Sequence, residues 1–278
     1  MLYEVCKTAK YERHPYKMSL ARTPIPQKPM DIIHVDIFIC NPNIFLSTVD
    51  KLSKFGILTP IKSRSIPDVR SGITKLFSTY GVPKLLVSDN EPSIRSIEVR
   101  SMLEELGVET YFTPSNKSEV NGIVERFHST ISEIFRCNRS KHAELNQKDL
   151  FRISVALYND SVHSSTNMRP KEVFFGVKEG EMRPNNIEEI IKKRNEIYDE
   201  ATLALRKKQK RDLNFHNRDK EADPHLEVDD PAYIARQGIK SKTKDKFRKH
   251  QVTRDKTKTF VDNLGRTIHK TKIRRNRV

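Results

Sequence analysis

From Asp31 to Cys40 the chain reads Asp-Ile-Ile-His-Val-Asp-Ile-Phe-Ile-Cys, a β-branched, alternating run that predicts a strand ending at Asn41-Pro42-Asn43. Ile44 to Val49 and Gly56 to Ile61 predict two more strands, and their short connections predict an antiparallel meander. Pro67 and Asp68 open a helical pattern in which Val69, Ile73, Leu76 and Phe77 recur on one face, until Gly81 and Pro83 stop it. Lys84 to Asp89 is a short run of the buried-strand type. Ile97 to Leu106 is amphipathic and closed by Gly107, and Val108 to Thr113 predicts a fifth strand. Beyond the polar loop Ser115–Asn121 come two helices. Gly122 to Cys137 carries Ile123, Phe127, Ile131 and Ile134 on its apolar side; Gln147 to Val162 carries Leu150, Ile153, Leu157 and Tyr158. Strands in a run, then strand–helix alternation, then helices predict a mixed α/β layer architecture around a sheet of about five strands. Residues 187–220 are helical in pattern but heavily charged, as in an interdomain helix. From Pro231 the pattern returns to strand-like pieces, Ala232–Ala235, Phe247–Thr253, Thr259–Val261 and Thr267–Ile273, with a turn at Asn263–Arg266. Residues 1–30, with Pro15, Pro24, Pro26 and Pro29, read as an extended lead-in.

Composition sharpens this picture. Hydrophobic residues make up 36% of the 278, low for one compact globule, so part of the chain is expected to be extended or weakly packed. The 52 Lys+Arg outnumber the 36 Asp+Glu, for a net charge of +16. From Arg236 to Val278 there are 16 Lys/Arg against Asp245, Asp255 and Asp262, a net of +13. A near-neutral body with a basic tail suits either a catalytic unit with a polyanion clamp or a solvated tail. No run approaches the roughly 18 apolar residues of a membrane span, and no apolar core of a secretory signal is present in the first thirty residues. Cys6, Cys40 and Cys137 lie far apart, which excludes a disulfide framework and a complete cysteine-based zinc site. The expected class is an intracellular protein with a polyanionic partner, nucleic acid being the commonest.

Three acids fall where chemistry can use them. Asp36 sits mid-strand among apolar neighbours, Asp89 ends another strand, and Glu125 lies in the first turn of a long helix. A carboxylate inside an apolar strand is costly to bury unless it meets a cation or a metal. Three converging carboxylates form an all-oxygen site suited to Mg²⁺ or Mn²⁺. Two such ions can activate an attacking oxygen and stabilise a leaving one in phosphodiester transfer. Each acid also has a local explanation: Asp36 as a loop cap, Asp89 as a strand-end turn residue, Glu125 paired with His128 or Arg126. Periodicity alone does not decide between these.

The residues His34-Val-Asp36, Leu86-Val-Ser-Asp-Asn-Glu91 and Asn121-Gly-Ile-Val-Glu-Arg-Phe-His-Ser-Thr130 resemble the catalytic core of retroviral and LTR-retrotransposon integrases, most closely the gypsy type. That family's signature is two aspartates and a glutamate with 35 residues between the last two, and 35 residues separate Asp89 from Glu125. Tyr158-Asn159 and Arg169-Pro-Lys-Glu172 resemble the end of the same core. The resemblance implies an RNase H-like fold over 31–176, in which Asp36, Asp89 and Glu125 are catalytic and hold Mg²⁺ or Mn²⁺. It implies 3′-end processing of element DNA and strand transfer into target DNA, with no covalent protein nucleophile. Glu119 is off the family position and reads as loop surface. Glu91 departs from the glycine common in the wider family; it either crowds the metal site electrostatically or faces solvent, and solvent is the expectation. His34 reads as a satisfied neighbour.

Glu125, His128, Ser129, Ser132 and Arg136 share one helix face. If Glu125 holds metal, His128 and Arg136 could touch DNA phosphates; the alternative is an ordinary solvated face. Asn116, Lys117 and Asn121 in and after the preceding loop are further candidates for DNA contact, though Asn121-Gly122 equally suits a cap and turn.

Cys6 and the residues to Pro15 look like the end of the family's His-His-Cys-Cys zinc module, with Tyr3 where a second cysteine belongs. One cysteine cannot hold a structural zinc, so no zinc is expected and the chain reads as truncated, with residues 1–30 a module remnant and linker. Residues 177–229 read as a charged helical linker. Residues 230–278 resemble, more weakly, a small SH3-like β-barrel that binds DNA through phosphates, with Lys246, Arg248, Lys249, Lys270 and Lys272 as candidates. The expected partners are double-stranded DNA and further copies of the chain, with no membrane. Nuclear localisation is expected from the substrate, and Arg206-Lys-Lys-Gln-Lys-Arg211 suits a localisation signal or a solvated helix face. Against the enzyme stand a catalytically inactive integrase-derived DNA-binding scaffold and an RNase H-like nuclease; the 35-residue spacing disfavours the nuclease.

Overall fold

The computed structural model describes residues 22–113, 122–141, 144–180, 186–218, 226–235, 247–256 and 259–270. They divide into two compact units, one spanning Pro24–Lys208 and the other holding Gln209 onward with the residues before Pro24.

The larger unit is built on a five-stranded sheet. Strands β1 (Ile32–Cys40), β2 (Asn43–Asp50) and β3 (Gly56–Ile61) form the expected antiparallel meander, and β4 (Leu85–Ser88) and β5 (Glu109–Phe112) add in parallel on the other side of β1. The order is β3-β2-β1-β4-β5, which places β1 at the centre. Ile32 to Val35 are all buried, because helices cover both faces of the sheet at this point. On one face Ile33, Val35, Leu46 and Leu86 meet helices α1 (Ile66–Tyr80) and α2 (Ile97–Glu105) through Val69, Ile73, Leu76, Val99 and Leu103. On the other, Phe45 and Val49 meet α3 (Gly122–Arg139) and α4 (Gln147–Asp160). Each such side chain contributes about 1.5–3 kcal/mol through burial. Short helix α5 (Pro170–Phe175) follows, and α6 (Ile187–Asn217) lays Ile197, Ala201 and Leu205 on Leu52, Met168 and Val173.

Two helices are rotated from the faces that periodicity predicts. On α3 the buried row is Val124, Phe127, Ile131 and Phe135, with Ile123 and Ile134 on its flanks. On α4 it is Leu150, Phe151, Ser154, Tyr158 and Asn159, and Leu157 is exposed. Long-range polar contacts set the second rotation. Asn159 accepts from the Gly56 backbone N–H at 2.8 Å and donates to its carbonyl at 2.9 Å, both buried. The Tyr158 hydroxyl donates to the Lys54 carbonyl at 3.1 Å. Gly56 is required where β3 begins, since a Cβ there would stand 2.2 Å from the Phe127 ring. These contacts fix α3 and α4 against the end of the β2–β3 hairpin, and so fix where Glu125 points.

In the second unit β6 (Pro231–Ala235), β7 (Phe247–Asp255), β8 (Thr259–Asp262) and β9 (Thr267–His269) form a four-stranded antiparallel sheet in that order. Ala232, Ile234, Val252 and Phe260 make its small core. Among the described residues these four strands form one meander sheet, the part of the expected SH3-like unit that the structure describes. The turn at Asn263–Arg266 is held by the buried Asp262 carboxylate, which accepts from the Leu264 and Arg266 backbone N–H groups.

Candidate metal and catalytic centre

Strand register brings the two aspartates together. In the parallel β1–β4 ladder Val35 pairs with Ser88, so Asp36, midway along β1, and Asp89, just past the end of β4, follow side by side. Parallel neighbours project to the same face, about 4.8 Å apart. Glu125 arrives from the first turn of α3, which packs across that face through Val124 and Phe127. Burial, and then repulsion from Asp89, Glu91 and Glu125, pushes the Asp36 carboxyl up to about 6, while the Ile37 N–H donating to its Oδ1 at 2.7 Å pulls the other way. The charges of Asp89, Glu91 and Glu125 therefore all reach the Asp36 carboxyl.

Glu91 adds a fourth acid. Its side chain is 13% exposed rather than solvent-facing, and Arg64 grips it with Nη2 2.6 Å from Oε2 and 2.9 Å from Oε1. Ser93 Oγ donates to it as well, at 3.2 Å. The Arg64 guanidinium also feels Asp36 and Asp89. This cation was not apparent from the chain, because it comes from the β3–α1 connection and no local pattern ties it to the acids.

His128 does not sit as a surface phosphate contact would. Its ring lies 4.6 Å from Phe38, its Nε2 is 2.6 Å from Ser47 Oγ, and its Nδ1 is 3.9 Å from Asp36 Oδ2. Burial pushes its pKa down to about 4, so near neutrality the imidazole offers phosphate no charge. Ser47 stands opposite Asp36 in the β1–β2 ladder and donates to its carbonyl at 3.1 Å. His34 is buried in β1. Arg136 is exposed on α3.

Of the tail candidates, Arg248 and Lys249 are exposed on β7. Lys270 is different: it is 2% exposed with its ammonium 2.7 Å from Asp255 Oδ1, so it braces the small sheet instead of reaching outward. Arg266 likewise spends its guanidinium on Asp262, at 2.7 and 3.0 Å. Lys117, Asn121, Lys246 and Lys272, with Asn116, Glu119 and Cys6, lie outside the described residues.

Among the described residues no group of three His, Cys, Asp or Glu side chains stands in a ready-made ligating arrangement. The donor set nonetheless fits a hard divalent cation. It is all carboxylate oxygen, and the repulsion recorded at Asp36 is what a bound cation relieves. Nor is any helix, among the described residues, long and apolar enough to cross a membrane.

No protein-family model matches the chain. The retrovirus-related Pol polyprotein from transposon opus of Drosophila melanogaster is 35% identical over 271 residues, 98% of this chain and 27% of that polyprotein. The corresponding polyprotein from transposon gypsy, also of Drosophila melanogaster, is 39% identical over 170 residues, 61% of this chain and 16% of that polyprotein. The chain thus spans about a quarter or less of the length of these curated relatives. Among solved structures, the fold is shared with a chain of the cryoEM structure of the simian T-cell lymphotropic virus intasome in complex with PP2A regulatory subunit B56 gamma. The TM-score is 0.64 at 14% identity, covering 98% of this chain and 86% of that one.

Proposed function

The chain belongs to the gypsy-type integrases of retrovirus-related elements, and on that premise we propose that it is a metal-dependent polynucleotidyl transferase that processes the 3′ ends of element DNA and joins them to target DNA. The observation that carries this reading is the β1–β4 register that sets Asp36 beside Asp89, with Glu125 in the first turn of α3 near enough for its charge to reach Asp36. Those three carboxylates would hold Mg²⁺ or Mn²⁺. When bound, the ions supply charge neutralisation at phosphorus and activation of the attacking oxygen, a water in processing and a DNA 3′-hydroxyl in joining.

The chain's own residues set the stage for that chemistry. Central β1 holds the Asp36 backbone in a fully paired ladder, and the Ile37 N–H orients its carboxylate. His128, anchored on Ser47 and packed against Phe38, stands with Nδ1 3.9 Å from Asp36 Oδ2. Arg64 holds Glu91, so that this extra acid is neutralised beside the site. No side chain is asked to form a covalent bond to phosphorus, and in-line attack depends on positioning.

The second unit serves in this reading as a small SH3-like DNA-binding module. Arg248 and Lys249 present charge to phosphates irrespective of sequence. Double-stranded DNA, assembly with further copies of the chain and action in the nucleus follow from the same proposal, with 31–176, 177–229 and 230–278 as core, linker and DNA-binding domain.

The test is resolution of a branched DNA that mimics the joined product, with Mg²⁺ or Mn²⁺, beside an Asp89→Asn variant. Metal-dependent resolution by the wild type alone supports the assignment. Equal resolution by Asp89→Asn would remove Asp89 from the centre, and firm DNA binding by both with no resolution would point to a scaffold instead.

A further inference from the structure

Across α3 from the carboxylates lies a pocket of about 320 Å³, open to solvent on one side and bordered by the start of α3, the end of α4, the β2–β3 turn and residues 161–165. Ile123, Arg126, Phe127 and Thr130 line it, a helix face opposite the one that carries Glu125, His128, Ser129 and Ser132. Lys54, Arg126, His163 and the hydroxyl residues Ser161, Ser164 and Ser165 supply its polar lining, and none of the lining residues is acidic. Its volume falls at the lower end of the roughly 300–1,000 Å³ range of small-molecule sites.

Lys54 gives this cavity its character. It is 8% exposed, and its backbone adopts φ 66°, a left-handed conformation in which glycine rather than lysine is at ease. The conformation is held from both sides: the Lys54 N–H donates to the Asp50 carbonyl at 3.0 Å, and its own carbonyl accepts from Tyr158. A strained position kept by a buried cation is more costly than a turn requires. Among the described residues the ammonium donates to the Lys51 carbonyl, at 2.8 Å. Its nearest acid, Asp50, already accepts from Ser53 N–H, Ser53 Oγ and Met30 N–H.

Further cations crowd the same place. Lys208 reaches in from α6 and donates to Ser165 Oγ at 2.9 Å. Burial pushes the Lys54 ammonium down to about 8, with Asp50 resisting and Lys51, Lys208 and Arg126 reinforcing the fall. Burial, Lys54, Lys208 and Arg126 hold His163 down to about 4. Lysine, arginine and hydroxyl donors converging on a hollow without acids complement a compact oxyanion of more than one charge.

We propose that this cavity is a phosphate-binding site, distinct from the carboxylate centre and independent of whether that centre is active. The phosphate could come from a DNA backbone or from a free phosphate-bearing compound; the chemistry of recognition is the same.

Isothermal titration of the full chain with inorganic pyrophosphate, in chelator and at fixed ionic strength, tests it. Lys54→Met keeps the aliphatic stem, and Arg126→Gln changes a solvent-exposed side chain. Each is expected to weaken pyrophosphate binding about tenfold, with circular dichroism confirming the fold. Binding to the C-terminal cations is common to all three proteins and cancels in the comparison. Should Lys54→Met fail to fold, Arg126→Gln decides alone. Unchanged affinity in the folded variants, or no binding by the wild type, overturns the proposal. Where the site is present, displacement of pyrophosphate by a short duplex in the wild type but not in Arg126→Gln assigns it to DNA. Absence of displacement assigns it to a free phosphate compound.

Discussion

Replacing Asp36 by Asn should stabilise the metal-free protein at neutral pH. The Asp36 side chain is 21% exposed, and burial together with Asp89, Glu91 and Glu125 raises its pKa from the ordinary 3.8 to about 6. At 1.36 kcal/mol for each tenfold change, that rise corresponds to about 3 kcal/mol. The folded protein holds this proton more tightly than the unfolded chain does. The contribution is therefore fully present below about pH 4 and is lost as pH rises through about 6. Asn resembles the protonated acid at every pH, so Asp36→Asn should match the wild type at about pH 4. At about pH 7.5 it should exceed it by up to roughly 3 kcal/mol. His128 and His163, whose pKa values are pushed down to about 4 by burial, act in the opposite sense over the same window, since the unfolded chain takes up their protons first. Their effect is shared by both proteins to first order, so the difference between them reads Asp36. The assay is urea denaturation in chelator at both pH values. Adding Mg²⁺ should then stabilise the wild type more than Asp36→Asn. A variant less stable than the wild type by the same amount at both pH values would refute the electrostatic reasoning.

Glu125→Gln should abolish metal-dependent joining of DNA while leaving duplex affinity equal or higher, because it removes a negative charge; fluorescence anisotropy beside the joining assay checks both. Asn159→Leu leaves the Gly56 N–H and carbonyl buried without partners and should cost about 2–4 kcal/mol in denaturant unfolding. Gly56→Ala drives a methyl into the Phe127 ring and should cost about 1–3 kcal/mol, partly recovered by Phe127→Leu as read by the melting temperature. Deleting residues 236–278 should weaken DNA binding and flatten its dependence on salt, because each lost phosphate contact removes about 0.9 from the logarithmic slope. An unchanged slope would mean that the tail is not the clamp.

The strand–helix order and the sites of chain reversal were legible because they depend on local alternation and on breakers such as Gly81, Pro83 and Gly107. The family's spacing was legible too, since 35 residues, α2 and β5 among them, separate Asp89 from Glu125. What periodicity could not reach was the rotation of α3 and α4. An apolar stripe allows turns of a few tens of degrees, and the choice fell to Asn159 on Gly56 and to the ring of Phe127. The partners of charged side chains were equally hidden. Arg64 on Glu91, His128 on Ser47 and Lys54 against the α3 cavity each join elements far apart in sequence. A basic residue has the same letter whether it faces solvent or not, so Lys270 reads as a DNA contact until the fold seals it onto Asp255. The sequence by itself determined which segments become strands and helices and which acids carry the family's spacing, because those depend on neighbours along the chain. Tertiary structure alone decided which charges meet, because Coulomb forces and burial depend on distance through space.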